Sequence, residues 1–371
     1  MNNIKVTIIV AVYNVLGFLP KCADTVFAQT MPDSELEILF VDDCSTDGSY
    51  EYLQERADSS RAARTNVRVL QTPRNSGNGA LPRNTGIEAA RGEYLLILDG
   101  DDYFDPRFAE KTYARAKLRD ADIVSARYHR RIDGKPSQMD TATSWYEIFI
   151  STARGELATP AERAKAVFVS DCTCWTKLFR REFIMKSGLR FLPITCHDDL
   201  FFSMATTITA ERICGIPDKL VYYNQGVGQE ARTDQAVKLD GMYKNLEAFR
   251  DFFEARPELA AYKKGAYFHL CQMILKNNGF TDVLKPGCLL TEELYDTVCG
   301  RIFADFGIPG MFAYECPELS ELAKLSFASY RDKVRAGEFD DGACIDIEVG
   351  YRLAESFARE YVPVAYPDTQ P

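Results

Sequence analysis

Four short apolar runs, Val6–Val12, Glu37–Val41, Val67–Gln71 and Tyr94–Leu98, alternate with helical patterns at Gly17–Gln29, Gly48–Ala57 and Ala80–Ala90. This rhythm admits few folds. Parallel neighbours need a crossover between them, and the crossover helices must cover the faces of the sheet. The chain is therefore expected to be α/β, a mostly parallel central sheet flanked by helices, with its ligand at the carboxyl ends of the strands. A further strand is predicted at Asp122–Ala126, while Trp175–Phe179 and Lys219–Tyr223 read as strand-like or connecting. Between them come a polar turn at Asp133-Gly134-Lys135-Pro136, the stretch Trp145–Ile150 and a helical pattern near Ala161–Phe168. Beyond about residue 235 the periodicity is helical, at Met242–Phe253, Leu259–Leu275, Glu292–Phe303, Leu319–Val334 and Ile347–Tyr361. Two domains are expected, 1–230 and a helical C-terminal region at 231–371.

Acidic residues at the ends of these strands narrow the chemistry. Asp42-Asp43 comes directly after the second run, with Asp47 close behind; Asp99, Asp101 and Asp102 come after the fourth; Asp198-Asp199 lies within Thr195–Phe202. In a parallel sheet the first two clusters share one rim. Carboxylates crowded there repel one another unless cations or hydrogen-bond donors neutralise them. Hard oxygen ligands favour Mg²⁺ or Mn²⁺, which bridge to substrate phosphates, so a nucleoside diphosphate ligand is implied. The bland reading of any one acidic pair is a solvated loop, and it weakens when three clusters occur together. Leu98-Asp99-Gly100-Asp101-Asp102 is the sharpest, since Gly100 lets the chain turn tightly around an ion.

Charge excludes one class. With 44 basic and 54 acidic residues the net charge is −10, without the basic footprint of a nucleic-acid-binding protein. The 11 cysteines are scattered, several in apolar surroundings such as Cys214, and no signal sequence opens the chain; a reduced, cytoplasmic protein is expected. No apolar stretch approaches the length of a membrane span.

In order and spacing the motifs resemble glycosyltransferase family 2, with its GT-A nucleotide-diphospho-sugar transferase fold. The likeness runs through Val6–Asn14 (where the family usually has proline at Ala11), Val41-Asp42-Asp43 with Ser45–Ser49, Asn75-Ser76-Gly77, Arg83-Asn84-Thr85-Gly86, Gly92-Glu93-Tyr94 and Asp99-Gly100-Asp101. It continues through Trp175-x-Lys177-Leu178-Phe179-Arg180 to Asp198-Asp199, where the family usually has Glu-Asp, and covers about residues 4–223. The resemblance implies an inverting transferase acting on a nucleotide-sugar donor, with uridine as the base. It puts Ala11, Val12, Tyr13 and Asn14 along the nucleoside, Asp42 on the base, Arg83 near the base or diphosphate, and Asp99 with Gly100 at the ribose. Asp101 would hold Mn²⁺ or Mg²⁺, and Asp199, with Asp198 beside it, would be the general base. The implied acceptor is a glycan or lipid-linked, with peripheral membrane association and a homo-oligomer through the C-terminal helices both compatible. A non-catalytic nucleotide-sugar-binding protein of the same fold is the alternative reading.

Other signals carry competing explanations. Gly77-Asn78-Gly79 opens a helix like a dinucleotide loop, but Pro82 stands where a third glycine belongs. Cys172, Cys174, Cys196 and His197 fit no common zinc spacing. Trp175 is a candidate for stacking on a sugar or for core packing. Lys177 is a candidate for a diphosphate or an anionic acceptor. His197 is a candidate for acceptor contact or for local hydrogen bonding. Tyr222–Gln229 reads as a lid or as a linker.

Overall fold

The computed structural model describes residues 4–60, 66–132, 173–225 and 235–263, with 135–136, 156–157, 265–267, 269–270 and the single positions Arg163, Val167 and Phe306. Asp133-Gly134, Trp145–Ile150, most of Ala161–Phe168, Gly226–Gln229 and the helical patterns beyond Leu270 lie outside the described residues. The chain divides into two compact units, Met1–Ala158 with Asp171–Thr233, and Thr159–Ser170 with Asp234–Pro371.

The first unit begins with β1 (Val6–Val12), α1 (Leu19–Phe27), β2 (Leu36–Asp42), α2 (Ser49–Ser60), β3 (Val67–Gln71), α3 (Ala80–Ala89) and β4 (Tyr94–Asp99). It continues with β5 (Tyr103–Phe104), α4 (Phe108–Arg119), β6 (Ile123–Ile132), β7 (Lys135–Pro136), β8 (Glu156–Leu157) and β9 (Lys177–Arg180). The last elements are α5 (Arg181–Ser187), α6 (Leu200–Thr209) and β10 (Ile213–Gln225). All strands join one sheet in the order β3-β2-β1-β4-β9-β6-β10-β5, with β7 on β6 and β8 on β10. The N-terminal four are parallel, as expected. β9 then runs antiparallel to both β4 and β6, while β6 and β10 are parallel to each other. The sheet is therefore mixed. Lys135-Pro136, read from sequence as part of a turn, is a short strand.

β2 is buried along its whole length, and β1 at every position but Ala11. Burial on both faces explains why these runs are continuously apolar rather than alternating. Glu37, a buried carboxylate of β2, is compensated: it accepts from Thr7 Oγ1 at 2.8 Å and Arg91 N at 2.9 Å, and pairs with Arg68 at 3.3 Å. Gly92 lets the entry to β4 lie on β1, because a Cβ there would stand 2.6 Å from Thr7 N and 2.8 Å from Val6 C. Both obstructions are backbone and cannot swing aside. Gly92→Ala is expected to destabilise the unit by about 1–3 kcal/mol, read as a lowered urea midpoint at unchanged slope.

In the second unit the long helix α7 (Gln235–Glu254) starts earlier than its periodicity suggests. It buries Met242, Leu246, Phe249, Phe252 and Phe253, and the Phe249 and Phe253 rings stack at 6.1 Å. Pro257–Tyr262, read as the start of a helix from Leu259, is a 3₁₀ turn. No helix among the described residues is long and apolar enough to cross a membrane.

Candidate active site

The site is built around the carboxyl end of β1. Register places Val12 beside Asp42 on one side and Ala11 beside Asp99 on the other. Two strand spacings separate the acids, about 10 Å. Gly100 donates its N–H to Ala11 O at 2.9 Å, and a Cβ on it would meet Val15 Cγ2 at 2.9 Å, so only glycine lets the chain turn this close to β1.

Asp42 is fully buried. Its Oδ2 accepts from Ser45 N at 3.0 Å and Gln71 Nε2 at 3.1 Å, while its Oδ1, also buried, has no hydrogen-bond partner. A buried acceptor left without a donor is costly in a native protein and marks a place where a ligand N–H would be welcome. Asp43, its neighbour, is a structural carboxylate. It takes Thr72 Oγ1 at 2.7 Å and Ser76 N and Oγ at 2.9 and 2.8 Å, and so fixes the loop into α3. Asp47 ties the β1 loop in the same way, through Leu16 N at 2.9 Å and Ser49 N at 3.0 Å. Asn14 takes a left-handed backbone, φ 50°, and its Oδ1 accepts from Thr46 N at 2.7 Å. Tyr13, half-buried, precedes it on the same loop.

Arg83, in the first turn of α3, links this rim to the second acidic pair. Its guanidinium donates to Asp99 Oδ1 at 2.7 Å and to Asp198 Oδ2 at 2.7 Å. Burial alone would lower the Arg83 pKa, but Asp198 and then Asp99 outweigh it and hold the group well above its usual value. Gly79 lies under the guanidinium: a Cβ there would be 2.4 Å from its Nη1. Gly79 is thus explained without a dinucleotide, and Gly77 takes a left-handed backbone, φ 72°. The next residue, Asn84, grips the same distant segment from its backbone side, donating to Phe191 O at 2.9 Å and accepting from Phe191 N at 3.0 Å. Sequence reasoning assigns Asn84 no role, although it comes directly after Arg83.

Asp199 is the N-cap of α6, yet its carboxylate makes no capping hydrogen bond to that helix. Its charge acts on Arg83 and on the buried Cys174 thiol, so it belongs to the same electrostatic cluster. Burial pushes the Cys174 thiol well above its usual value, which keeps it neutral. His197 takes a left-handed backbone, φ 58°, just ahead of the pair. Two candidates sit further in. Lys177 is fully buried, its ammonium on Thr173 O and, at 3.1 Å, Ser203 Oγ. Trp175 is buried, stacked on Tyr223 at 5.0 Å and edge-on to Tyr128 at 4.8 Å.

Asp101 and Asp102 come next on the other side of Asp99. Asn224 of β10, also unassigned from sequence, donates its backbone N–H to Asp102 Oδ1 at 2.7 Å and its side-chain amide to Asp101 O. Burial, then the charges of Asp101 and Asp99, push Asp102 well above the usual carboxylate range against that one bond. Among the described residues no three carboxylates, histidines or thiols stand together as a self-sufficient ion cage. The donor set fits a hard cation that takes one protein carboxylate and completes its shell with phosphate oxygens and water.

Residues 7–188 match the model described as glycosyl transferase family 2. Over these residues the chain is a family 2 glycosyltransferase domain. This glycosyltransferase is 27% identical to the glycosyltransferase EpsJ of Bacillus subtilis over 280 residues, 73% of the chain and 77% of EpsJ. It is 29% identical over 222 residues to the poly(ribitol-phosphate) beta-glucosyltransferase of Bacillus spizizenii, covering 59% of the chain but only 32% of that longer protein. Its fold matches residues 1–349 of Staphylococcus aureus TarS, solved in complex with UDP-GlcNAc, at a TM-score of 0.69 and 19% identity, over 96% of the chain and 92% of that structure.

Proposed function

We propose that this glycosyltransferase moves a sugar, with inversion, from a UDP-sugar to the hydroxyl of a glycan or lipid-linked acceptor, with Asp199 as general base. The supporting observation is convergence: Arg83 brings Asp99 of the strand rim and Asp198 of the α6 loop onto one buried guanidinium. The acids on the rim and the acids 99 residues further along the chain, from Asp99 to Asp198, thus serve one pocket.

Asp42 Oδ1 is the acceptor that a pyrimidine N–H would satisfy, and Ala11–Asn14 lie along the nucleoside between Asp42 and Asp99. Asp101 is the residue to hold Mn²⁺ or Mg²⁺, which when bound supplies charge neutralisation to the departing diphosphate. The acceptor hydroxyl is a weak nucleophile until a carboxylate takes its proton in the transition state. Asp198 is committed to Arg83, which leaves Asp199 as the base of the pair. Attack from the side opposite the leaving group inverts the anomeric carbon. The name of the Bacillus spizizenii relative, a poly(ribitol-phosphate) glucosyltransferase, and the UDP-GlcNAc held by TarS support a UDP-sugar donor and an anionic polymer acceptor.

The deciding experiment is titration of UDP-sugars into wild type and Asp101→Asn with and without Mn²⁺. Wild-type affinity should rise at least tenfold with the ion, about 1.4 kcal/mol, and the variant should lose that gain. Equal ion-dependence in both proteins would remove Asp101 from the metal role.

A further inference from the structure

β6 and β10 of the first unit carry a row of basic residues that takes no part in the donor site: Arg127, His129, Arg131 and Lys219, on a chain whose net charge is −10. Arg127 and Lys219 are direct cross-strand partners. Like charges placed opposite one another destabilise a sheet. Both are half-buried, and burial followed by the Arg127 charge depresses Lys219. Among the described residues no carboxylate forms an ion pair with Arg127. Asp105, whose charge reaches His129, is bound by Arg107 at 2.9 Å, and Asp218, beside Lys219 in the chain, pairs with Lys111.

The row continues outward. Arg127, His129 and Arg131 alternate along β6 and so share a face. His129 stacks on Tyr222 at 4.8 Å, and Tyr222 on Tyr103 at 5.1 Å. Arg131 lies 5.8 Å from the Tyr103 ring and Lys21 lies 4.1 Å from it. By register Leu96, Leu178 and Val124 are level, so Arg127 stands level with Asp99, and β6 runs on past the rim to Ile132. The cations thus start at the height of the acids and extend about 13 Å beyond them. Tyr128 and Tyr223 instead meet Trp175, on the opposite face of these two strands.

We propose that this row holds the phosphates of a phosphodiester-linked acceptor polymer, several units away from the hydroxyl that reacts. The inference rests on the transferase reading and names the chemistry of its acceptor. A linear array fits an extended polyanion better than a single anion, and the half-buried rings of His129 and Tyr222 give the units between phosphates a flat floor. The cost of opposing two cations is offset when a phosphate lies between them.

The test uses the full chain, wild type, Arg127→Gln and Lys219→Gln, with fluorescent glycerol-phosphate oligomers. Wild type should bind a long oligomer more tightly than a dimer, with affinity falling as salt rises. Each substitution should weaken the long oligomer by roughly tenfold and lower the salt slope by about one, leaving the dimer nearly unaffected. Both variants should melt no lower than wild type, since each relieves repulsion, and should hydrolyse UDP-sugar at the wild-type rate. Oligomer binding unchanged in both variants, or equal affinity for a neutral oligomer, overturns the proposal. So does a loss confined to phosphatidylglycerol vesicles, which would make the row a membrane contact. Absence of UDP-sugar hydrolysis in wild type would instead count against the transferase reading, independently of the binding arm.

Discussion

Asp199→Asn is expected to lower the turnover number by roughly 10²–10⁴ while leaving UDP-sugar affinity unchanged. The amide keeps the shape of the side chain and cannot take a proton. Since Asp199 does not cap α6, the substitution removes no hydrogen bond from that helix. Asp198 cannot substitute well, because its Oδ2 accepts from Arg83 Nη1 at 2.7 Å beside a buried guanidinium that stays charged, and a carboxylate so paired is a weak base. Turnover and donor titration on the same preparation decide the matter. Near-wild-type turnover would transfer the role to Asp198, and weakened donor binding would place Asp199 on the donor instead.

Arg83→Met should be the most damaging change to the fold of the site. Arg83 is 7% exposed and neutralises two carboxylates at once. Removing it leaves Asp99 and Asp198 facing each other without their cation. Breaking a buried pair costs about 3–5 kcal/mol, and because both acids keep some solvent the expectation here is about 2–4 kcal/mol of unfolding free energy. Turnover should fall as well, since Asp198 no longer anchors the loop that carries Asp199. Arg83→Lys should recover part of the stability but little of the turnover, because one ammonium cannot span two carboxylates as a planar fork does. Urea unfolding and steady-state kinetics measure the two effects separately. A stable, fully active Arg83→Met protein would show that the two acidic pairs are held together by something else.

The N-terminal strands are legible because burial on both faces forces continuous apolar runs, and Val6–Val12 and Val67–Gln71 begin and end where the sequence pattern puts them. Three helices are not. α4 buries Phe108, Ala109, Thr112 and Ala116, only one of them large, so its stripe is faint. α6 is buried at every position but its last, which erases the contrast between faces that betrays a surface helix. α5, at seven residues, is too short to display a period. The apolar pattern of β6 stops at Ala126, because Arg127, His129 and Arg131 look like a loop until β10 is seen beside them. In the site, spacing alone exposes the acids of the rim. The partnerships of Asn84 with Phe191 and of Asn224 with Asp101 and Asp102 join residues more than a hundred apart, and no local pattern announces them.

Neighbouring side chains on one turn of α3 hold both the rim and the loop in front of α6: Arg83 spans them, and Asn84 locks the loop's backbone. Under the proposed mechanism, nucleotide grip and proton removal would share a single mount. A change that tilts this turn to suit a different sugar also retimes the chemistry.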